Sequence, residues 1–222
     1  YGLKSLELFE SRGINDLDYD FTLYVVGNNL LSLQRHEEAL AYYEHSMAIG
    51  ERYGFYNNLS DVYISLVDLY SYFNEYRKAE QAAEKAVEFA TRLNNNFMLM
   101  RSWLAAGNLQ ILQGKYGAAI TSLDKCIEIA TPAFGDKFFL SQAYGRLGKA
   151  YAGNHNYKDA YEAFAKYDML KDEVFTENAS QKMSILQTEF DLAKKDTTIQ
   201  GMEDRIQKQR SLSSQKTVMR NS

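Results

Sequence analysis

The chain of 222 residues holds one proline, Pro132, one cysteine, Cys126, and one tryptophan, Trp103. Scarce proline removes the commonest interruption of a helix, so long helices are expected. A single cysteine excludes an internal disulfide framework and a cysteine metal cluster, and leaves the redox compartment open. No window approaches the roughly 18 to 20 continuous apolar residues that a membrane-crossing helix needs. The start at Tyr1 shows no basic segment followed by an apolar core, so any secretory leader and part of the preceding chain are expected to have been cut away. There is no G-x-G-x-x-G, no GKS or GKT and no kinase nucleotide motif. His36, His45 and His155 have no cysteine or second histidine at ligand spacing, so no catalytic centre, metal site or cofactor is expected.

What is present is repetition. With 45% hydrophobic residues the chain can bury a real core. Segments containing EEALAYYEHSMAI, RKAEQAAEKAVEFA, YGAAITSLDKCIEIA and YKDAYEAFAKYDML align on Ala39, Ala79, Ala119 and Ala160, a period of about 40 residues. Upstream of each alanine, at one fixed offset, stand Gly27, Val67, Gly107 and Gly148. Downstream, at another, stand Tyr43, Ala83, Leu123 and Phe164. The register predicts helix pairs at 17–34 and 36–53, 57–74 and 76–93, 97–113 and 116–131, and 137–153 and 157–172, joined by short links that include 94–96 and 131–136. In RLGKAYAGNHNYKDAYEAFAKY the small Gly148, Ala160 and Ala163 alternate with Tyr151, Tyr157, Tyr161 and Phe164, the pattern of a helix seam in which small residues admit aromatic ones. Cys126 occupies a small-residue position of this pattern and is expected to be packed rather than nucleophilic.

The third unit has Trp103, Ala106, Gly107, Ala119, Leu123 and Pro132, and the fourth Tyr144, Leu147, Gly148, Tyr151, Ala160 and Phe164, at spacings that resemble the tetratricopeptide repeat (TPR). The resemblance implies an all-α fold, a right-handed α-solenoid of TPR-like helix hairpins with a long C-terminal capping and coiled-coil helix. In that register residues 1–13 form the second helix of a preceding repeat, 14–172 four repeats, and 173–222 a capping helix and basic linker helix. His36, in RHEEAL, then begins a second repeat helix and is no phosphoacceptor.

The tail departs from the repeat. Met183, Leu186, Phe190 and Ala193 form a stripe expected to dock, and Leu192, Ile199 and Ile206, with Met202, form a short seam for a homodimer, weakened by Gly201. Residues 205–222 contain Arg205, Lys208, Arg210, Lys216 and Arg220 and no acid; since the whole chain carries −4 and this segment +5, the rest carries −9. Such a tail suits an anionic lipid surface and, lacking interleaved aromatic residues, no nucleic acid. The segment LQTEFDLAKKDTTIQGMEDRI resembles the linker between TPR arrays and the membrane helix of bacterial two-component sensor histidine kinases. That resemblance implies a non-catalytic sensory module at the periplasmic face of the inner membrane, adjacent to the membrane. A stand-alone scaffold or adaptor, the sensory part of a helix-turn-helix regulator, and a cytoplasmic location are the alternatives.

The TPR register also implies a concave groove lined by the first helix of each pair and suited to a peptide or protein partner. Positions five and nine of those helices are Tyr24 and Asn28, Ile64 and Asp68, Leu104 and Asn108, Gly145 and Lys149; Asp61, Arg101 and Gln142 at position two stand beside them. Only Lys149 is cationic among the eight, an incomplete clamp for a terminal carboxylate. Asn28 and Asn108 are expected to donate to and accept from a peptide backbone.

Overall fold

The structure, a computed structural model, describes residues 2–133, 137–178, 180–185 and 187–188, and all its regular elements among them are helical. The helices are α1 (Gly2–Ser11), α2 (Leu17–Ser32), α3 (His36–Tyr53), α4 (Tyr56–Tyr72), α5 (Tyr76–Arg92), α6 (Asn96–Leu112), α7 (Tyr116–Ala133) and α8 (Lys137–Gly153). A further helix, α9, begins at 157 and continues through 178. The hairpins α2–α3, α4–α5, α6–α7 and α8–α9 follow the expected pairs, and the fold is an all-helical stack of hairpins. α7 runs to Ala133, so 131–133 end a helix and are not part of a link.

Each hairpin turns in the same way. Backbone in the left-handed region recurs at Gln34, Asn74, Gly114 and His155, with φ of 62°, 59°, 71° and 60°. Just beyond each, an N–H reaches back to cap the first helix: Arg35 to the Leu30 carbonyl, Glu75 to Tyr70, Lys115 to Gln110 and Asn156 to Tyr151, at 2.8–2.9 Å. This is the Schellman closure, which satisfies carbonyls left without partners at a helix end. Links between repeats repeat it, with Phe55 N–H bonded to the Gly50 carbonyl and Asn95 N–H to that of Ala90. Asp16 and Asn95 then cap the next first helices, their side chains accepting from the N–H of Tyr19 and Met98 at 3.0 and 3.1 Å.

The hairpins close on size complementarity. A Cβ at Gly27 would lie 2.9 Å from the Tyr43 ring, one at Gly107 2.7 Å from Leu123 Cγ, and one at Gly148 2.9 Å from the Phe164 ring. Each glycine is the hole into which the partner helix sets its knob. In the second hairpin the sizes are exchanged: the same two positions hold Val67 and Ala83, both buried. In the fourth, Ala160 and Ala163 are buried as expected, whereas Tyr157 and Tyr161 are 68% and 76% exposed. These two tyrosines stand on the outer side of α9, away from the seam. Cys126 is fully buried, and burial pushes its thiol up to about 12, as befits a packed small side chain.

A buried polar cluster joins the first two hairpins. Ser46 Oγ on α3 donates to Asp20 Oδ1 on α2 at 2.5 Å, and Asn58 Nδ2 on α4 donates to Asp20 Oδ2 at 3.0 Å. Both carboxylate oxygens of Asp20 are thus satisfied where the side chain is 1% exposed. Nothing in the apolar periodicity announces it.

The stacking has two different sides. The backbones of first helices approach closely across repeats, α2 with α4, α4 with α6 and α6 with α8, whereas those of the second helices α3, α5 and α7 stay apart. Close approach on one side and separation on the other make the first-helix side the inner, concave one. The chain divides into residues 1–171 and 172–222. In the second unit Phe175, Met183 and Ile185 are exposed, while Leu186, Phe190, Ala193, the Leu192–Ile206 seam and the basic segment lie outside the described residues.

Two substitutions test this account. Gly148→Leu inserts a side chain where Phe164 already sits and is expected to lower unfolding free energy by about 1–3 kcal/mol in urea titrations. Gln34→Gly relieves left-handed strain and is expected to raise it by about 1 kcal/mol; an unchanged midpoint would contradict the shared turn geometry.

Candidate functional site: the inner groove

The residues expected in the groove fall on α2, α4, α6 and α8, and the structure brings most of them into one inner strip. At one end, Tyr24 is half-buried, its ring centroid 5.9 Å from that of Tyr43, and Tyr43 Oη donates to Asn28 Oδ1 at 2.7 Å. Toward the middle, Arg101 of α6 forms an ion pair with Asp61 of α4, one repeat away, both side chains partly buried. Its guanidinium carbon also stands 5.7 Å from the Phe97 ring centroid.

Asn108 and Gln142 meet on a residue that sequence reasoning passed over. Arg146 Nε donates to Asn108 Oδ1 at 3.3 Å, and its Nη1 donates to Gln142 Oε1 at 2.7 Å and to the Gln142 carbonyl at 3.3 Å. Arg146 thus ties α8 to α6 through neutral acceptors, and among the described residues no carboxylate lies within ion-pair distance of it. Burial weakens its hold on the proton, while the Asp68 charge strengthens it. The clue lay in the register: the equivalent positions in earlier repeats are Val25, Ser65 and Ala105, so arginine is alone in a column of smaller side chains.

Asp68 is the complementary charge. Its side chain is open to solvent, yet surrounding protein raises its pKa above the ordinary carboxylate value, and the positive charges of Arg146 and Arg101 act against that rise. A carboxylate reached by water and still desolvated belongs on the floor of a concavity, where solvent approaches from one side only. Lys149 is exposed, with no ion-pair or hydrogen-bond partner among the described residues.

Two expectations change. Position five serves packing more than recognition: Ile64 is buried, and a Cβ at Gly145 would meet the Tyr167 ring at 3.0 Å. The asparagines also do not offer both functions freely. The side-chain oxygens of Asn28 and Asn108 accept from Tyr43 and Arg146, which leaves their amide N–H groups as the remaining polar function. The strip therefore presents a pinned guanidinium, an exposed ammonium, a carboxylate and neutral amide donors. Among the described residues no group of histidine, cysteine or carboxylate side chains could hold a metal ion, and no helix is long and apolar enough to cross a membrane.

Comparison with known proteins agrees with this geometry. Two family models of the tetratricopeptide repeat match residues 3–92 and 101–131, together more than half of the chain, which is built of tetratricopeptide repeats. A curated relative, Protein KINESIN LIGHT CHAIN-RELATED 3 of Arabidopsis thaliana, is 27% identical over 149 residues, covering 63% of this chain and 22% of its own length. Among solved structures, BtubC (BKLC) from P. vanneervenii is similar with a TM-score of 0.64 at 15% identity, over 70% of this chain and 64% of that one. A signal transduction ATPase with numerous domains, described with a tetratricopeptide repeat sensor, from Pyrococcus horikoshii, has a TM-score of 0.59 at 19% identity, over 72% of this chain and 26% of that one. The chain thus spans about a fifth of the curated relative and just under two thirds of BtubC. At these identities the structures share the fold. The chain is an array of tetratricopeptide repeats.

The groove's electrostatics give a pH prediction. Because the folded pKa of Asp68 is raised, its contribution to stability is fully present below the unfolded pKa and is lost as pH rises through the folded one. NMR titration of the Asp68 carboxyl should show a midpoint above about 3.9, the unperturbed value, and Arg146→Met should move it higher still. A midpoint unmoved by Arg146→Met would remove Arg146 from the groove's field.

Proposed function

We propose that this chain is the sensory, ligand-binding part of a bacterial signal-transduction receptor, a sensor histidine kinase, and that it captures a peptide or protein segment along the inner strip. The observation that carries the binding reading is Arg146: a half-buried cation held in place by Asn108 and Gln142, without a carboxylate of its own. A guanidinium fixed by neutral amides keeps donor capacity for an incoming carboxylate, and pre-organisation reduces the entropy lost on binding. Lys149 would add charge beside it, Asp68 would take a basic group of the same ligand, and the free amide N–H groups of Asn28 and Asn108 would hold ligand carbonyls. Tyr24, Asp61, Arg101 and Gln142 shape the walls.

The receptor part of the proposal rests on the resemblance of LQTEFDLAKKDTTIQGMEDRI to histidine-kinase linkers and on the tetratricopeptide sensor of the Pyrococcus protein. In this reading the array stands at the periplasmic face of the inner membrane, and groove occupancy is passed through a C-terminal helix that pairs with a second copy. A stand-alone scaffold uses the same groove, and the family matches, confined to repeat segments, support it equally.

Selection of a random peptide library on the full chain tests the groove. Enriched peptides are expected to carry an acidic residue and to bind Arg146→Met at least about tenfold more weakly, the scale set by leaving a buried charge partner unmatched; peptides indifferent to Arg146→Met would overturn the reading. For the receptor part, a membrane helix and a histidine-kinase domain encoded after Ser222 are expected, and a stop codon there would leave the scaffold.

A further inference from the structure

On the opposite side of α6 from the groove lies a cavity of about 590 Å³. Trp103 and Gln110 of its floor follow Arg101 and Asn108 by two residues each, hence about 200° round the helix. Its other wall is α5, with Glu80, Glu84 and Glu88, and Gln113 and Lys115 close one end. Ala83, Val87, Ala106 and Leu109 complete the lining, and among its polar groups oxygen acceptors predominate. Glu80 accepts from Lys115 and from Gln113 Nε2, and Glu88 pairs with Lys85. Glu84 has no hydrogen-bond or ion-pair partner among the described residues, and the side-chain oxygens of Gln110 and Gln113 are buried without a donor. Glu84 is thus the carboxylate of this cavity without an internal donor.

The neighbouring repeats show what is missing. At the position of Gln110 they have Tyr70 and Tyr151; at the position of Glu84 they have Glu44 and Asp124. Tyr70 Oη donates to Glu44 Oε1 at 2.8 Å, and the Asp124 charge acts on Tyr151. In the adjacent cavity of about 510 Å³, Tyr63 likewise donates to Glu51, and Lys78 and Lys85 supply positive charge. Only the middle repeat keeps the carboxylate and has glutamine in place of the phenolic donor.

We propose that this outer cavity binds an arginine side chain from a basic segment of a protein partner. The planar guanidinium carries five donors in a fixed fork and would give Glu84 the donor that Tyr70 gives Glu44 one repeat earlier. Charge complementarity selects the ligand: Glu80 is paired with Lys115 and Glu88 with Lys85, Lys125 stands over the Trp103 ring, and Glu84 is the lining carboxylate left to an incoming cation. Glu84 and Glu88 are exposed, so a side chain projecting from a partner can enter along α5. The site shares no residue with the inner groove.

Trp103, the single tryptophan, makes the test direct. The full chain is titrated with an arginine–glycine peptide and with its citrulline counterpart, a neutral isostere, while Trp103 fluorescence is followed. The expected result is a saturable change with the arginine peptide alone. Binding should weaken at least about tenfold in Glu84→Gln and in Gln110→Tyr, which restores the internal donor, and stay unchanged in Glu37→Gln, the same charge change on α3. The proposal falls if the arginine peptide gives no saturable change, if the citrulline peptide acts equally, or if Glu37→Gln weakens binding as much as Glu84→Gln. A full response to free arginine amide at the same concentration would assign the cavity to a small molecule and overturn a protein partner.

Discussion

The constraint on which the structure depends is the exchange of volume between two positions of each hairpin. Gly27 receives Tyr43, Gly107 receives Leu123 and Gly148 receives Phe164, at distances that leave no room for a methyl group. Interiors are packed close to crystal density, so the sum of the two side chains is restricted while their division is free. The second hairpin uses that freedom with Val67 and Ala83. Given this spacing within hairpins and the common turn at Gln34, Asn74, Gly114 and His155, successive units repeat one geometry. First helices then meet across repeats and second helices stand apart.

Both candidate sites follow from that asymmetry. Where first helices crowd together, side chains one repeat apart can join, as Asp61 does with Arg101 and Asn108 with Arg146. Where second helices separate, cavities open between them and the first helices. The inner strip mixes charges that are largely spoken for, apart from Arg146, Lys149 and Asp68. The outer cavity beside Trp103 is apolar along much of its lining, and acceptors predominate among its polar groups. A single helix, α6, thus presents one face to each, and substitutions on one face should leave the other's chemistry intact.

Much of this could be read from the sequence because volume and period are sequence properties. The alanine spacing, the glycine column and its bulky partners predicted the bounds of α2 to α8 closely, since each depends on local pattern and nearest-neighbour packing, whereas α9 runs on to 178, past the expected end at 172. The inner strip was readable only as columns. Asp61, Asp68, Arg101, Asn108 and Gln142 were placed on it, whereas Ile64 and Gly145 turned out to serve packing, because a helix face does not divide sharply between solvent and neighbour. Arg146 was missed because its column is filled elsewhere by valine, serine and alanine, and only a departure from the column marks it. The Asp20–Ser46–Asn58 cluster joins three helices through hydrogen bonds that leave no periodic trace. The same logic explains the outer cavity: Gln110 between two tyrosines is informative only once the facing carboxylates are known to be there.

A double-mutant cycle at Gly107 and Leu123 tests the volume rule most directly, by writing the second hairpin's solution into the third. Gly107→Val alone overpacks the seam and Leu123→Ala alone leaves a void, and each should lower stability measured by urea unfolding. Combined, they reproduce the Val67–Ala83 arrangement, and the double variant should be more stable than the sum of the two losses by about 1–3 kcal/mol. Strict additivity, with the double variant as unstable as that sum, would mean that these positions do not exchange volume and would contradict the account of how the repeats are built.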